Sequence, residues 1–184
     1  MTTPDLRLVP ALAEHVDVWM AMREEPLARR MLPLEPETRE GLLERLREAS
    51  GDVTDPNAKG FRWMVELDGR IIGTVAARDL SRVQGRVELG YMLSSAYVGR
   101  GLGTRAVAMA LERLFSLPFL HRVWLGTSGH NLASQGLARK LGFTLEGVMR
   151  GHYVINGQRE DQQVWGLLRP EWEARRAARA SNVP

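Results

Sequence analysis

Three glycines within five residues, Gly99, Gly101 and Gly103, stand where an alternating apolar pattern gives way to a helical one. Glycine lets the backbone turn so that successive N–H groups point to one side. The helix that follows is expected from Thr104 to about Phe115, with Val107, Ala110, Leu111 and Leu114 on one face. Its first turn adds unpaired N–H donors and the positive end of its dipole. Such a strand–loop–helix corner is an anion site sized for a phosphate or pyrophosphate. Arg100 adds a cation beside it and Thr104 a hydroxyl at the helix start. The plainer reading, a flexible connector, is disfavoured by three glycines at this one junction.

Two nucleotide-binding patterns fit this corner poorly. GxxxxGK[ST] is absent, which removes a P-loop nucleotidase. Gly101-Leu102-Gly103-Thr104-Arg105-Ala106 satisfies GxGxxA, but a dinucleotide fold wants an acid about twenty residues later. The corresponding stretch, HRVWLGTSG, has none. The strand before the loop alternates, unlike a strand buried on both faces of a parallel sheet.

The remaining chain supplies the frame. Leu6 to Val9 is a short strand. A helix is expected from about Ala13 to Glu25, with Val16, Trp19, Met20 and Arg23 at helical spacing, and a second from Pro36 to Ala49. Gly51 to Gly60 is a polar loop. The period then changes to two: Phe61, Trp63, Val65 and Leu67 alternate with polar or smaller residues, and Asp68-Gly69 is a two-residue hairpin turn. Arg70 to Asp79 returns, Gln84-Gly85 turns, and Arg86 to Ser94 completes an antiparallel meander. His121 to Thr127 is a strand that can lie parallel to Arg86–Ser94, because a helix joins them. A helix from about Leu132 to Leu141 stops at Gly142. Phe143 to Met149 and Tyr153 to Leu168, the latter folded around Asn156-Gly157, are the last strands. A charged helix starts near Pro170. The expected fold is one mixed α/β domain over 1–184, with a mostly antiparallel central sheet flanked by helices and 171–184 as a charged tail.

Composition narrows the function classes. At 184 residues, 44% hydrophobic and 26% charged, the chain has the make-up of one soluble globular domain. No run nears the ~18 apolar residues of a membrane helix, and MTTPDLRLVP lacks the marks of a secretory signal, so a cytoplasmic location without membrane attachment is expected. The net charge is +3 and the arginines are scattered, which argues against direct nucleic-acid binding. Cysteine is absent, so a thiolate nucleophile is excluded, and no GxSxG elbow is present. The four histidines show no metal spacing, and no metal is expected.

ELGYMLSSAYVGRGLGTRA, followed by HNLASQGLARKLGFTLEGVMR, resembles the GCN5-related N-acetyltransferase (GNAT) superfamily. The likeness is greatest to the branch that holds the ribosomal-protein N-terminal acetyltransferases, and it runs from the first strand to LLRPEW. The resemblance implies the acyl-CoA N-acyltransferase fold, acetyl-coenzyme A as donor and a primary amine as acceptor. It implies a pyrophosphate cradle at Val98, Gly99, Arg100, Gly101, Leu102, Gly103 and Thr104. It implies pantetheine contacts from the backbone of Met92, Leu93 and Ser94, Asn131 beside the pantetheine, and Ser134 near the sulfur. Val98 departs from the Gln/Arg or aromatic residue that opens the family's loop, which removes a side-chain contact and leaves the backbone donors. Asn131 and Ser134 also suit the cap and third position of their helix, and the two roles can coexist.

Direct attack of the amine on the thioester then needs a donor for the carbonyl oxygen, assigned to a backbone N–H near Met92 or Leu93, and a partner for the departing thiolate, assigned to Ser134. The base is open. Where some relatives have a Glu, five residues before Asn131, this chain has Gly126; where some have a Tyr, it has Ala138; a Glu of close relatives falls on Tyr153. Glu88, Tyr153, His152 and Asp161 remain as candidates, with Glu88 equally able to pair with an Arg, Asp161 to fix a strand end, and Glu146 expected to be structural. A protein α-amine, at a reference pKa of roughly 7.7–8.0, asks less of a base than lysine at about 10.4. The leading expectation is therefore a peptide N-terminal amine such as a ribosomal protein's. A small amine (aminoglycoside, polyamine or amino acid) or a non-catalytic acyl-CoA-binding module are the alternatives. A homodimer is a family-level expectation.

Overall fold

The alternating segments form strands β1 (Leu6–Pro10), β2 (Phe61–Leu67), β3 (Arg70–Ser81), β4 (Arg86–Leu93), β5 (Arg122–Ser128), β6 (Thr144–Ile155) and β7 (Gln158–Leu168). In the computed structural model, which describes residues 5–181, they make one seven-stranded sheet in the order β1-β2-β3-β4-β5-β7-β6. All neighbours are antiparallel except β4 and β5. Asp68-Gly69 and Asn156-Gly157 turn with both φ angles positive, the twist that suits a tight hairpin. The last three residues of the expected tail helix, 182–184, lie outside the described residues.

Local chemistry moves several expected boundaries. The first helix is a 3₁₀ turn (Ala13–His15) running into α1 (Val16–Glu24), and a separate helix α2 (Pro26–Met31) follows. The break falls at Glu25, held extended (φ −59°, ψ 137°), because a residue before proline avoids helical angles while proline suits a first helical position. Helix α3 (Arg39–Glu48) begins three residues after Pro36, where the Thr38 hydroxyl accepts the Gly41 N–H at 3.1 Å. Helix α4 (Leu102–Phe115) begins two residues before Thr104. Helix α5 (Leu132–Leu141) ends at Gly142 as expected, and α6 (Arg169–Ser181) closes the fold. β6 does not stop at Met149: the register slips between Met149 and Tyr153, and the strand runs on to Ile155. A bulge carries it through the Gly151-His152 stretch that breaks the sequence pattern.

The sheet is covered on both faces. Phe61, Trp63 and Val65 of β2 join α4, α5 and Trp172 of α6 in one apolar cluster. Met64 of β2 and Met92 of β4 face the other way, into a second cluster with Val16, Trp19 and Met22 of α1 and Leu42 and Leu46 of α3. β4 and β5 pair only over Arg86–Glu88 and Arg122–Trp124. Beyond Glu88, β4 stays with β3 up to Leu93, while β5 follows β7 to Ser128. The two middle strands therefore splay, and the wedge between them opens toward the glycine corner.

Candidate active site

The corner sits at the open end of β4. Gly99 (φ 76°) and Gly101 (φ 74°) are in left-handed conformations, and a Cβ at either would point into open space, so backbone angle is what glycine supplies there. Gly101 is the N-cap of α4, and no side chain caps that N-terminus. The first-turn N–H groups are therefore left for an external acceptor. Gly103 serves differently: a Cβ would stand 3.1 Å from Leu93 Cδ1 and 3.5 Å from Leu137 Cδ1, so its absence lets α4 seat against β4. Val98 is 45% exposed. The Arg100 guanidinium lies 5.7 Å from the Tyr97 ring centroid at the surface. Thr104 is third in the helix, not at its start.

The wedge has polar atoms on both walls. Ser94 N–H donates to Ile72 carbonyl at 2.9 Å. Alternation along an antiparallel ladder then gives Met92 N–H to β3 and turns the N–H groups of Leu93 and Tyr91 toward the gap left by β5. Across the gap, Asn131 caps α5 by accepting the Ser134 N–H at 3.1 Å, and its Nδ2 reaches the Met31 carbonyl at 3.4 Å. Ser134 Oγ and Tyr91 Oη are 2.7 Å apart. Burial pushes the Tyr91 phenol up to about 12, with the Ser134 hydrogen bond opposing it. That phenol stays protonated at neutral pH.

Behind this pair lies an inner cavity of about 180 Å³. Glu88 is the one carboxylate among the described residues that line it, beside Arg23, Arg45, Arg62 and Arg78. Glu88 accepts from Arg78 at 2.9 Å. Tyr153 reaches in from β6. A Cβ on Gly126 would collide with the Tyr153 hydroxyl and the Gln162 amide, so those two groups fill the notch over Gly126. Burial and then the Glu88 charge push the Tyr153 phenol up to about 12. An outer cleft of about 950 Å³ shares Arg23, Arg78, Glu88 and Tyr153 with the cavity and adds Glu24, Glu35, Glu37 and His152.

The sequence and the fold have counterparts among known proteins. The description "Acetyltransferase (GNAT) domain" matches residues 5–144. The chain belongs to the GNAT acetyltransferase family. This GNAT chain is 33% identical, over 74% of its length and 76% of the relative's, to the probable N-acetyltransferase YjcK of Bacillus subtilis (strain 168). It is 35% identical to the spermidine N(1)-acetyltransferase of Escherichia coli (strain K12), over about half of each chain (53% and 52%). The spermidine N-acetyltransferase from Vibrio cholerae, solved with CoA and spermine, superposes with a TM-score of 0.78 at 20% identity, covering 92% of this chain and 98% of that one. The protein is thus an N-acetyltransferase by family, and its mixed, mostly antiparallel sheet is the fold of that neighbour.

Within this GNAT site the expected residues fall into three groups. Met92, Leu93, Ser94, the Val98–Thr104 segment, Asn131 and Ser134 all border the wedge or its open end. Of the candidate bases, Glu88 and Tyr153 line the inner cavity, whereas His152 reaches only the outer cleft, 5.5 Å from the Tyr153 ring. Asp161 lines neither space and accepts the Gly151 N–H at 2.7 Å, which pins the bulged strand. Glu146 is salt-bridged to Arg122, consistent with a structural role. Sequence reasoning passed over Tyr91 and the four arginines. Tyr91 was detectable as a polar tip inside the otherwise apolar run LGYML.

Proposed function

We propose that the protein moves an acetyl group from acetyl-CoA to a primary amine, by direct attack and without an acetyl-enzyme. The observation that carries this is the wedge: one wall of free strand N–H groups, one capped helix with Ser134, and a corner of unpaired amides at its mouth. The corner N–H groups of Gly99–Thr104 hold the pyrophosphate, the Val98 N–H being given to the Ser95 carbonyl at 3.5 Å, and Arg100 adds charge. The strand edge of Met92–Ser94 and Asn131 flank the pantetheine. The Leu93 N–H, turned into the gap, meets the thioester oxygen as it gains charge. The amine nitrogen forms a bond to the carbonyl carbon, the C–S bond breaks, and the sulfur leaves toward Ser134. Tyr91 orients the Ser134 hydroxyl and, being neutral, supplies a proton through it.

The attacking amine must lose one proton. Tyr153, held protonated, is a donor at neutral pH, so its part is to hydrogen-bond in the notch over Gly126. Glu88 takes the proton, directly or through water, while its ion pair with Arg78 fixes it in place. This suits a weakly basic α-amine, and the outer cleft leaves room for a peptide N-terminus of the kind ribosomal-protein acetyltransferases accept. A second copy of the chain has a surface to meet on β6, an edge strand exposing Leu145, Val148, Met149 and Val154. The test is release of free thiol from acetyl-CoA on addition of peptides, amino acids or polyamines, with acetylated product identified by mass. Binding of CoA with no thiol release for any amine would overturn the transfer.

A further inference from the structure

Arg62 is the odd residue of the acceptor side. It lies on β2 between Phe61 and Trp63, whose side chains enter the opposite apolar cluster, so its own side chain is turned toward α1 and α3. There it is 8% exposed and lines the inner cavity. The guanidinium carbon sits 4.1 Å from the Trp19 ring centroid. Its polar partners are too few for a cation. Nε has no hydrogen bond, and the one side-chain contact is Nη1 to Thr74 Oγ1 at 3.4 Å, where Thr74 Oγ1 itself donates to the Trp63 carbonyl.

Its neighbours around the same cavity are better served. Arg78 has Glu88 at 2.9 Å, Arg45 has Glu37 at 2.7 Å, and Arg23 donates to the Glu35 carbonyl at 2.7 Å. None of these carboxylates reaches Arg62. Burial and then the charges of Arg78, Arg45 and Arg23 push the Arg62 guanidinium down to about 9, which still leaves it a cation at neutral pH. A buried charge without a counter-charge is costly, and it persists where something else supplies the opposite sign.

We propose that the acceptor amine carries a carboxylate on the same molecule, and that Arg62 binds it with Arg23 and Arg45 while the amine projects toward Glu88 and the Tyr91–Ser134 pair. The inference rests on the acetyl-transfer reading above and names its substrate class. A planar guanidinium is matched to a carboxylate and anchors it most strongly where water is excluded. The same field opposes polyamines, whose amines are cationic at neutral pH. The relative named for spermidine is thus a guide to the chemistry of this chain and not to its acceptor.

Thiol release from acetyl-CoA should be compared for short C-terminally amidated peptides differing only in Asp against Asn, or Glu against Gln, next to the free N-terminus, for glutamate α-amide against glutamine α-amide, and for spermidine. The acidic member of each pair is expected to be favoured at least tenfold in kcat/KM, with spermidine poorest. Arg62→Met should bring the ratios to about one and leave the dissociation constant of CoA unchanged; Arg62→Lys should keep part of the preference. Equal use of acidic and neutral members, preference for spermidine, or an unaltered ratio in Arg62→Met overturns the proposal. Calorimetry with the α-amides of N-acetylglutamate and N-acetylglutamine on the CoA-bound protein separates the two readings, since it needs no turnover. If no amine releases thiol, acetyl transfer fails, while tighter binding of the N-acetylglutamate α-amide by the wild type alone still supports the anion site. Equal binding of the two overturns it. Should Arg62→Met fail to fold, Arg62→Lys and the wild-type ratios decide.

Discussion

The corner proposed for the donor and the cavity proposed for the acceptor lie on either side of Tyr91, yet they are built from different materials. The corner is backbone: three glycines, a helix N-terminus and a strand edge, all within one stretch of chain from β4 to the first turn of α4. The cavity is side chains, with Arg23 from α1, Arg45 from α3, Arg62 from β2, Arg78 from β3 and Tyr153 from β6. A backbone site recognises a group common to every acyl-CoA and needs few particular residues. A side-chain site can be changed one residue at a time without touching the corner.

The sharpest way to break this contrast is to place a charge in the corner. Gly101→Asp is expected to weaken CoA binding by a hundredfold or more by calorimetry, because a carboxylate then competes with pyrophosphate for the same N–H groups. Asn and Asp both tolerate left-handed angles, so Gly101→Asn is the control for shape and should cost only a few-fold. Equal losses in the two variants would mean that geometry, and not an anion site, matters there. Next in size is Tyr91→Phe, which removes the partner of Ser134 at 2.7 Å. A roughly ten- to hundredfold fall in kcat with little change in KM is expected for loss of a proton-handling group. Since burial holds Tyr91 protonated up to about 12, its removal should not move the pH–rate profile below that value. A shifted limb in the variant would assign the phenol a titrating role instead.

The difference between the two regions also explains what the sequence could say. A glycine run at a strand-to-helix junction is local, so the corner was legible from residues 88–106 alone, and so was Asn131 as a cap. The acceptor side was not. The alternation of Phe61, Trp63 and Val65 marks one face of β2 as core, but it cannot tell whether the other face meets water or is covered. Here α1 and α3 cover it, and Arg62, which a two-period pattern would leave in solvent, is inside. The parallel pairing of β4 with β5 was foreseeable from the intervening helix. Its limit to three residues, which opens the wedge, depends on packing that no local pattern records.

Gly126 joins the two regions and offers a test by stability. Alanine there would place a Cβ against the Tyr153 hydroxyl and the Gln162 amide in a half-buried notch. Overpacking costs about 1–3 kcal/mol, and the low end is expected because both obstructing atoms are side-chain ends that can swing aside; it is read as a lower midpoint in denaturant. Tyr153→Ala made alongside it should recover much of that loss, giving a coupling in a double-mutant cycle. Additive losses would show that the phenol does not occupy the space over Gly126.

The smallest effect expected is one of opposite sign. Arg62→Met removes a desolvated cation and leaves a side chain that packs against Trp19, so a gain of roughly 1 kcal/mol in stability is expected, as when buried charges give way to apolar residues. The pH dependence follows from the direction of the shift. The folded pKa lies below the unfolded one, so the unfolded chain binds this proton more firmly and the wild type is penalised at neutral pH. That penalty should fade as pH rises from about 9 toward the unfolded value, and the advantage of Arg62→Met should shrink over the same interval. A saturating N-acetylated carboxylate should narrow the gap at neutral pH by stabilising the wild type alone. A variant less stable than the wild type at every pH, with or without that ligand, would mean that Arg62 is held for packing, and the acceptor side would then be as indifferent to charge as the corner is dependent on it.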